Sequence, residues 1–353
     1  MKIAHISDIH IRNYRYHYEY EQVFEQLYTK LKELKPDIIV NTGDTAHTKL
    51  NLSPSYFDMA ARMFEKLADI APYHIILGNH DLNLRNLSKI DAVSPLVAAL
   101  NHSNIHFHKN SAEVDIGNGF CFHVLSIVDE ENWTLPTDMD KVNIALFHGS
   151  VAGVKTSTGW TMTHGDISLD RLTEYDYAML GDIHKPNQEL DKEGRIRYAG
   201  SLIQQNFGES EEKGFLLWDI KDVDNFKVKH YALENPKPFV TINLTKKGKI
   251  PTKAQIKEGC RLRLVSSVNL PIDVIKRTID VAKTKYKPET VNYYSNVFGR
   301  KDKNEIINSV FKDDLRSLEV QQDLITDHLI DYELEEDMLN QIFDLNQKYN
   351  KLV

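Results

Sequence analysis

Five short apolar segments of this chain each end in a cluster of Asp, Asn, His and Gly residues. The clusters are Asp8-Ile9-His10, Gly43-Asp44 with His47 nearby, Gly78-Asn79-His80-Asp81, His148-Gly149 and Gly181-Asp182-Ile183-His184. Ligands of open α/β sheets bind in the crevice beyond the carboxyl ends of the strands. We therefore expect the five clusters to meet in one crevice, although a single such cluster is more typical of a helix cap or a hydrogen-bonded polar residue.

Strand and helix patterns alternate in the first half of the chain, and strand patterns dominate after it. Residues 2–7, 37–41 and 73–77 are predicted strands, and Ser53-Pro54 supplies the N-cap and first-turn proline of a helix before the third strand. Further strands are predicted at 119–126, 142–147, 175–180, 195–199, 214–220 and 226–231. This order predicts an α/β fold of packed sheets with helices outside, and a single doubly wound sheet is the alternative.

The side chains of the five clusters are carboxylates, imidazoles and an amide, with no thiolate among them. This set suits a divalent ion such as Mn²⁺ better than a structural zinc site. Asp8 and His10 leave an extended backbone on the same side, so both can reach one ion. The only cysteines, Cys121 and Cys260, are too far apart in sequence for a CxxC metal or redox motif.

Charge is distributed unevenly along the chain. The net charge of −8 consists of −11 in residues 1–235, +10 in 236–300 and −7 in 301–353. A basic segment in an acidic protein is typical of a surface that binds a polyanion, and an ordinary solvated face is the alternative. Strands at 239–244, 261–266 and 289–294 and a helix at 272–284 predict a small αβ capping domain. Its predicted DNA contacts are Lys246, Lys247, Lys249, Arg261, Arg263, Lys276 and Arg277.

The acidic segment 301–353 predicts a helical hairpin with two apolar stripes. Such a hairpin packs either on its own body or against a partner. The predicted partner contacts are Leu318, Leu324, Leu329, Leu334, Met338, Ile342 and Leu345. No run of about 18 apolar residues is present that could cross a bilayer, so no membrane association and a cytoplasmic location are expected.

The order DxH, GD, GNHD, H and GxH resembles the calcineurin-like metallophosphoesterase superfamily. Within it, His47 and the runs Tyr198-Ala199-Gly200-Ser201 and Asn206-Phe207-Gly208-Glu209 are similar to the SbcD-type DNA nuclease family. That family is the bacterial and phage counterpart of the eukaryotic meiotic recombination double-strand-break nuclease. The resemblance implies a metallophosphoesterase αββα sandwich at 1–235, followed by the basic capping domain at 236–300 and a helical partner-binding region at 301–353.

The same resemblance implies two metal ions and a role for each residue of the clusters. One ion would be held by Asp8, His10 and His184. The other would be held by Asn79, His148 and Asp182. Asp44 would bridge the two ions, His80 would be the catalytic histidine, and His47 would help to position the phosphate. The family usually has Gly-His-x-His where this chain has Gly181-Asp182-Ile183-His184, and an aspartate charge would make the second ion less electrophilic.

As a member of this nuclease family the chain would use Mn²⁺, with Mg²⁺ as the alternative. It would act as a 3′-to-5′ exonuclease on duplex DNA and as an endonuclease on single strands, in the repair, recombination and replication of DNA. The implied partners are DNA and a coiled-coil ABC ATPase of the SbcC type, in a bacterial cell or a phage-infected host. A homodimer is a further alternative for the assembly. A phosphoesterase acting on nucleotides or phosphoproteins and a non-catalytic scaffold are the alternatives.

Overall fold

The structure, a computed structural model, describes residues 1–48, 52–156, 161–296 and 341–342 and divides into two compact units, Met1–Pro236 and Lys237–Val353. The α-helices of the first unit are α1 (His17–Leu34), α2 (Pro54–Ala68) and α3 (Ser94–Leu100). Its strands are β1 (Lys2–Ile6), β2 (Ile38–Asn41), β3 (Tyr73–Ile76), β4 (Ile105–His108), β5 (Ala112–Gly117), β6 (Phe120–Leu125), β7 (Val142–His148), β8 (Tyr177–Gly181), β9 (Gln188–Glu189), β10 (Ile196–Tyr198), β11 (Lys213–Ile220) and β12 (Phe226–Leu233).

Two six-stranded sheets form the first unit. The first has the order β12-β11-β1-β2-β3-β4, in which β1 to β4 are parallel and β11 and β12 are antiparallel additions. The second has the order β5-β6-β7-β8-β10-β9, with antiparallel strands only at its edges. Because parallel strands run in one direction, the carboxyl ends of β1, β2 and β3 share one edge of the first sheet, and those of β7 and β8 share one edge of the second.

The two sheets pack face to face around an apolar layer. Its buried members include Ile3, Val40, Ile76, Phe122, Ile144, Met179 and Trp218. Helices α1, α2 and α3 cover the outer face of the first sheet, and loops with short turns cover that of the second through Val151, Val154, Ile167 and Leu172. The predicted α/β fold of packed sheets with helices outside is confirmed, and the single doubly wound sheet is excluded.

Helix α2 begins where the sequence predicts. The Ser53 hydroxyl accepts a hydrogen bond from the N–H of Tyr56 at 3.2 Å, and Pro54 occupies the first turn. The apolar stripe that follows is buried at Met59, Ala60, Met63, Phe64 and Leu67. Because burial of a large apolar side chain stabilises by about 1.5–3 kcal/mol, this stripe fixes α2 on the sheet that carries β2 and β3.

Strands β4 and β5 were not among the sequence predictions. Both lie at the edges of their sheets, where only one neighbouring strand pairs with them. β4 carries His106 and His108 in its four residues, and β5 alternates exposed and half-buried residues. Edge strands with such polar faces lack the apolar run that marks a central parallel strand.

The second unit contains a parallel sheet of β13 (Phe239–Asn243), β14 (Arg261–Ser266) and β15 (Thr290–Ser295), with α4 (Ile272–Tyr286) between β14 and β15. Its apolar core includes Leu262, Leu264, Ile275 and Ala282. These elements match the strands and the helix predicted for the basic segment. Within the described ranges of both units, no helix is long and apolar enough to span a membrane.

Three histidines stack where β3 pairs with β4. The ring centroid of His74 lies 4.6 Å from that of His106 and 5.2 Å from that of His108. Nδ1 of His74 lies 3.0 Å from Nε2 of His108. Burial, followed by the neighbouring imidazoles, lowers the pKa of His74 to about 3 and that of His108 to about 4. The folded chain therefore holds both rings neutral at physiological pH.

This stack should make the first unit less stable as the pH falls below about 6.5. An unfolded histidine takes up a proton near that pH, whereas folded His108 does so only near its pKa of about 4, so the unfolded state binds more protons in between. In urea unfolding, His108→Gln should lose less unfolding free energy between pH 7 and pH 5 than the wild type. His164→Gln, at an exposed position, is the control. Identical pH dependence in the wild type and His108→Gln would contradict the prediction.

Candidate metal centre

Sharp turns follow the ends of β1, β2 and β8. The backbone φ is 50° at Asp8, 47° at His10, 57° at Asp44 and 100° at Asp182, so the extended backbone expected at Asp8 and His10 is wrong. Such conformations cost a residue other than glycine about 1–3 kcal/mol, and they persist where the surrounding structure enforces them. Here the N–H groups of Asp8 and His10 donate to the carbonyls of Gly43 and Asp44 at 3.1 and 2.9 Å. The loops after β1 and β2 therefore run side by side at one sheet edge.

Two glycines allow these loops to approach one another closely. A Cβ atom at Gly78 would lie 2.3 Å from the backbone nitrogen of Asp44, and one at Gly181 would lie 2.3 Å from the carbonyl oxygen of Thr42. Both distances are far below van der Waals contact, and the backbone groups involved cannot give way cheaply. Any larger residue at either position would push apart the loops that carry the acidic and imidazole groups.

Asp8, His10 and His184 converge as the first group. Nε2 of His10 lies 3.0 Å from Nε2 of His184, and Oδ1 of Asp8 lies 3.9 Å from each of these nitrogens. Asp8 and His10 are buried and His184 is half-buried. Two imidazole nitrogens and a carboxylate oxygen thus face a common point, as the ligands of one cation do.

Asp8 also belongs to a second group with Asp44 and His148, whose ligand atoms lie within 4.8 Å of one another. Nδ1 of His148 donates to the carbonyl of Thr42 at 2.7 Å, so Nε2 is the nitrogen that faces the carboxylates. That nitrogen is buried and lies 3.4 Å from Oδ1 of Asp44. Oδ2 of Asp44 lies 3.5 Å from Nε2 of His10, so Asp44 reaches both groups.

Asn79 and Asp182 lie next to each other at the side of these groups. Nδ2 of Asn79 lies 3.5 Å from Oδ1 of Asp182, and the N–H of Asp182 donates to Oδ1 of Asp8 at 3.1 Å. Burial raises the pKa of Asp182 to about 6, an effect that His148 opposes and Asp8 reinforces. Asp182 is not a member of the two groups of three.

The donor set fits divalent cations. Burial raises the pKa of Asp8, and burial alone would lower that of His148, which the charge of Asp44 instead raises well above its usual value. Carboxylates buried this closely repel one another unless positive charge compensates them. A divalent ion with oxygen and imidazole ligands meets this requirement, and the sidechains of both groups present such atoms.

His80 and His47 lie beside the two groups. The N–H of His80 donates to Oδ1 of Asp44 at 2.8 Å, and its Nδ1 donates to the carbonyl of His47 at 2.7 Å. Nε2 is therefore the nitrogen of His80 that remains for a substrate. The ring centroid of His10 lies 4.8 Å from that of His80 and 5.7 Å from that of His47.

Asp81 received no role from the sequence, although it ends the Gly78-Asn79-His80-Asp81 cluster. Its buried carboxylate accepts hydrogen bonds from the N–H groups of Asp44, Ala46 and Gly78, each at 2.9 Å. Asp81 thereby ties the loop after β2 to the loop after β3. It acts on the centre by holding Asp44 in place.

Glu209 is the second residue without a predicted role, although it is the last residue of the run Asn206-Phe207-Gly208-Glu209. Its Oε1 accepts a hydrogen bond from Nδ1 of His184 at 2.8 Å, and its Oε2 lies 2.8 Å from the buried Nζ of Lys213. Burial opposes ionisation, but the bond from His184 and the charge of Lys213 together lower the pKa of Glu209 to about 2. Glu209 thus holds the proton of His184 on Nδ1 and leaves Nε2 facing Asp8.

The predicted DNA contacts belong to the second unit. The exposed ones are Lys246, Lys247, Lys249, Lys276 and Arg277. The guanidinium of half-buried Arg263 lies 4.8 Å from the ring centroid of Tyr294. Arg261 is buried, pairs with Glu289 at 3.1 Å and donates to the carbonyl of Lys237 at 2.9 Å. The charge of Arg261 is therefore used inside this unit.

Only one of the predicted partner contacts lies within the described residues. Ile342 is helical and half-buried in the described pair 341–342. The others lie outside the described residues, namely Leu318, Leu324, Leu329, Leu334, Met338 and Leu345.

Comparison with known proteins places this centre in a family context. Residues 1–186 match the sequence profile of the calcineurin-like phosphoesterases. Over 277 residues the chain is 34% identical to protein R555 of Acanthamoeba polyphaga mimivirus. The aligned region covers 74% of this chain and 20% of R555. Over 237 residues it is 30% identical to protein 244L of Invertebrate iridescent virus 6, a protein that carries a phosphoesterase name. This aligned region covers 63% of this chain and 77% of 244L. The chain thus spans a fifth of R555.

Among solved structures, the phosphoesterase Yfce from E. coli is similar in fold, and the aligned region covers 66% of this chain and 100% of the Yfce chain. The sequence identity is 14% and the TM-score is 0.32. The family relationship rests on the sequence matches alone.

The contact between Glu209 and His184 predicts an effect on metal affinity. The carboxylate of Glu209 orients His184 and balances the charge of Lys213. Because Glu209→Gln removes that negative charge, we expect Mn²⁺ to bind about 10- to 100-fold more weakly. Calorimetric titration with Mn²⁺ measures this directly, and circular dichroism reports whether the variant is folded. Glu212→Gln is the matched control, because Glu212 is exposed and faces His230 at 3.5 Å. Unchanged Mn²⁺ affinity in folded Glu209→Gln would contradict the assignment.

Proposed function

The chain belongs to the calcineurin-like phosphoesterase family, and on that premise we propose that it is a DNA nuclease that hydrolyses phosphodiesters with two divalent metal ions. The observation that carries the proposal is the convergence of Asp8, His10 and His184 with Asp44 and His148 at one edge of the sandwich. Buried carboxylates and imidazole nitrogens at such spacing bind cations, and cations in this family act on phosphate esters.

We propose the following division of the side chains between the two ions. One ion would be held by Asp8, His10 and His184, and the other by Asn79, His148 and Asp182, with Asp44 between them. When bound, the ions would supply a nucleophile at neutral pH and stabilise charge on the attacking and leaving oxygens. Mn²⁺ suits the mixed oxygen and nitrogen donors best, with Mg²⁺ as the alternative.

His80 would deliver a proton to the departing sugar oxygen. Its Nδ1–H is fixed on the carbonyl of His47, so the proton would leave from Nε2 of the imidazolium. General acid catalysis of this kind contributes about 10²- to 10⁴-fold to a rate. His47, whose ring lies 5.7 Å from that of His10, would help to position the phosphate.

DNA is the substrate that the rest of the chain favours. Residues 236–300 carry a net charge of +10, and Lys246, Lys247 and Lys249 are exposed there. Lysines of this kind neutralise phosphates without reading sequence. His47 and the runs ending at Ser201 and Glu209 resemble the SbcD-type nucleases, which supports 3′-to-5′ exonuclease action on duplexes and endonuclease action on single strands. That resemblance also supports a role in DNA repair, recombination and replication.

We also propose that residues 301–353 bind a coiled-coil ABC ATPase of the SbcC type. The support is the pair of apolar stripes in the sequence, which would need a covering surface.

The central test is digestion of end-labelled duplex and single-stranded DNA with Mn²⁺ or Mg²⁺, with and without a candidate ATPase. The wild type should shorten the duplex from its 3′ end. His80→Asn should lose about 10²- to 10⁴-fold in rate because the proton donor is gone, while its Mn²⁺ affinity should be retained. His102→Asn is the matched control, since His102 faces Asp69 at 3.5 Å on the surface.

Two outcomes would overturn the assignment. Hydrolysis of phosphomonoesters or nucleotides with no cleavage of DNA would place the chain among other phosphoesterases. Full DNA cleavage by His80→Asn would remove His80 from its role, whatever the substrate.

Replacing Lys246, Lys247 and Lys249 with Ala should weaken DNA binding and reduce the slope of log affinity against log salt by about 2 to 3. Hydrolysis of a small phosphodiester should hardly change, because the ester does not need the basic segment. The control is Lys192, Lys221 and Lys227 replaced by Ala, which removes the same charge from exposed positions of the first unit. Equal losses in both triple variants would contradict a specific role for the basic segment.

A further inference from the structure

A cavity of about 250 Å³ lies directly beside the candidate metal centre. Of its lining residues, His148 belongs to that centre and Asn79 lies at its side. Most of the remaining wall is apolar or aromatic and comes from Leu84, Ile127, Trp133, Phe147 and Ile167. A ligand could therefore place a charged group at the centre and an uncharged group in the cavity.

Trp133 forms a pre-organised wall of this cavity. Its Nε1–H donates to the carbonyl of Ser126 at 2.8 Å, and its ring packs edge-on against Phe147 with centroids 5.5 Å apart. The guanidinium of Arg171 lies 5.4 Å from the same ring. Because these contacts fix the indole before any ligand arrives, binding would cost little side-chain entropy.

The polar part of the lining selects against a second phosphate. It contains two carboxylates, Glu130 and Asp166, and neither lysine nor arginine. The N–H and hydroxyl of Ser150 both donate to Oδ2 of Asp166, at 2.7 and 2.8 Å, and no described residue donates to its Oδ1. The cavity thus offers hydrogen-bond acceptors, which suit a neutral ring that carries N–H groups.

We propose that this cavity is a nucleobase subsite, which takes the base next to the phosphodiester that is cleaved. A cavity of 250 Å³ is below the usual range for drug-sized ligands and is of the right order for one planar base. Stacking of a base on an aromatic wall is tolerant of sequence, as a nuclease of general specificity requires. The inference rests on the proposed function, because it identifies the ester as one of nucleic acid.

The test uses DNA oligonucleotides that carry one abasic tetrahydrofuran residue on the 5′ or the 3′ side of a chosen phosphodiester. The wild type should cleave at least one of them about 5- to 100-fold more slowly than the intact oligonucleotide in single turnover with Mn²⁺. Trp133→Ala should slow cleavage of the intact oligonucleotide by a similar factor and leave the abasic one unchanged. Equal cleavage of intact and abasic DNA by the wild type on both sides would overturn the subsite.

A milder pair of variants protects the test against misfolding of Trp133→Ala. Leu84 is 46% exposed and lines the cavity, whereas Leu87 is 51% exposed in the same segment and does not. Leu84→Ala should reduce the preference for intact over abasic DNA, and Leu87→Ala should keep it. If both variants, or neither, changed that preference, the cavity would not be the place where the base is bound.

A binding measurement separates failure of the subsite from failure of the proposed function. If no oligonucleotide is cleaved with Mn²⁺, the nuclease proposal fails, and the subsite is then judged by calorimetric titration with 5′-AMP and ribose 5-phosphate. The wild type should bind 5′-AMP about tenfold more tightly than ribose 5-phosphate, and Leu84→Ala should lose this difference. Equal affinities in the wild type would overturn the subsite on their own.

Discussion

The first unit is organised around aspartates that lie buried against one another. Burial raises the pKa of Asp8 and of Asp182, and the charge of Asp44 raises both further. A protein interior holds such a set only where hydrogen bonds and positive charge compensate it. Backbone N–H groups supply part of that compensation, since those of His80 and Asp182 donate to Asp44 and Asp8. Divalent ions bound to the histidine nitrogens and carboxylate oxygens would supply the remaining positive charge.

The packing of the two sheets brings these aspartates together. Parallel strands deliver Asp8, Asp44 and Asp182 at neighbouring strand ends, and the apolar layer between the sheets fixes where those ends lie. The strained backbone at these aspartates is tolerated because hydrogen bonds between adjacent loops enforce it. Gly78 and Gly181 remove the side chains that would otherwise keep the loops apart.

The centre and the adjoining cavity have opposite chemistry. The centre gathers carboxylates and imidazoles for a charged phosphate, whereas the cavity offers Trp133 and Leu84 and has neither lysine nor arginine in its lining. Net charge by segment does not reveal such local differences. In the basic segment it counts Arg261 equally with Lys246, although Arg261 is buried in an ion pair with Glu289 and Lys246 is exposed.

The sequence by itself was sufficient for the central strands and the clusters that follow them, because buried parallel strands are apolar runs and their polar ends stand out against them. It located β1 and β2 to within one or two residues. It did not locate the polar edge strands β4 and β5. Only the tertiary structure decided the roles of Asp81, Glu209 and Trp133. Each acts through partners on other loops, and a residue's type does not say which distant backbone group or imidazole will meet it.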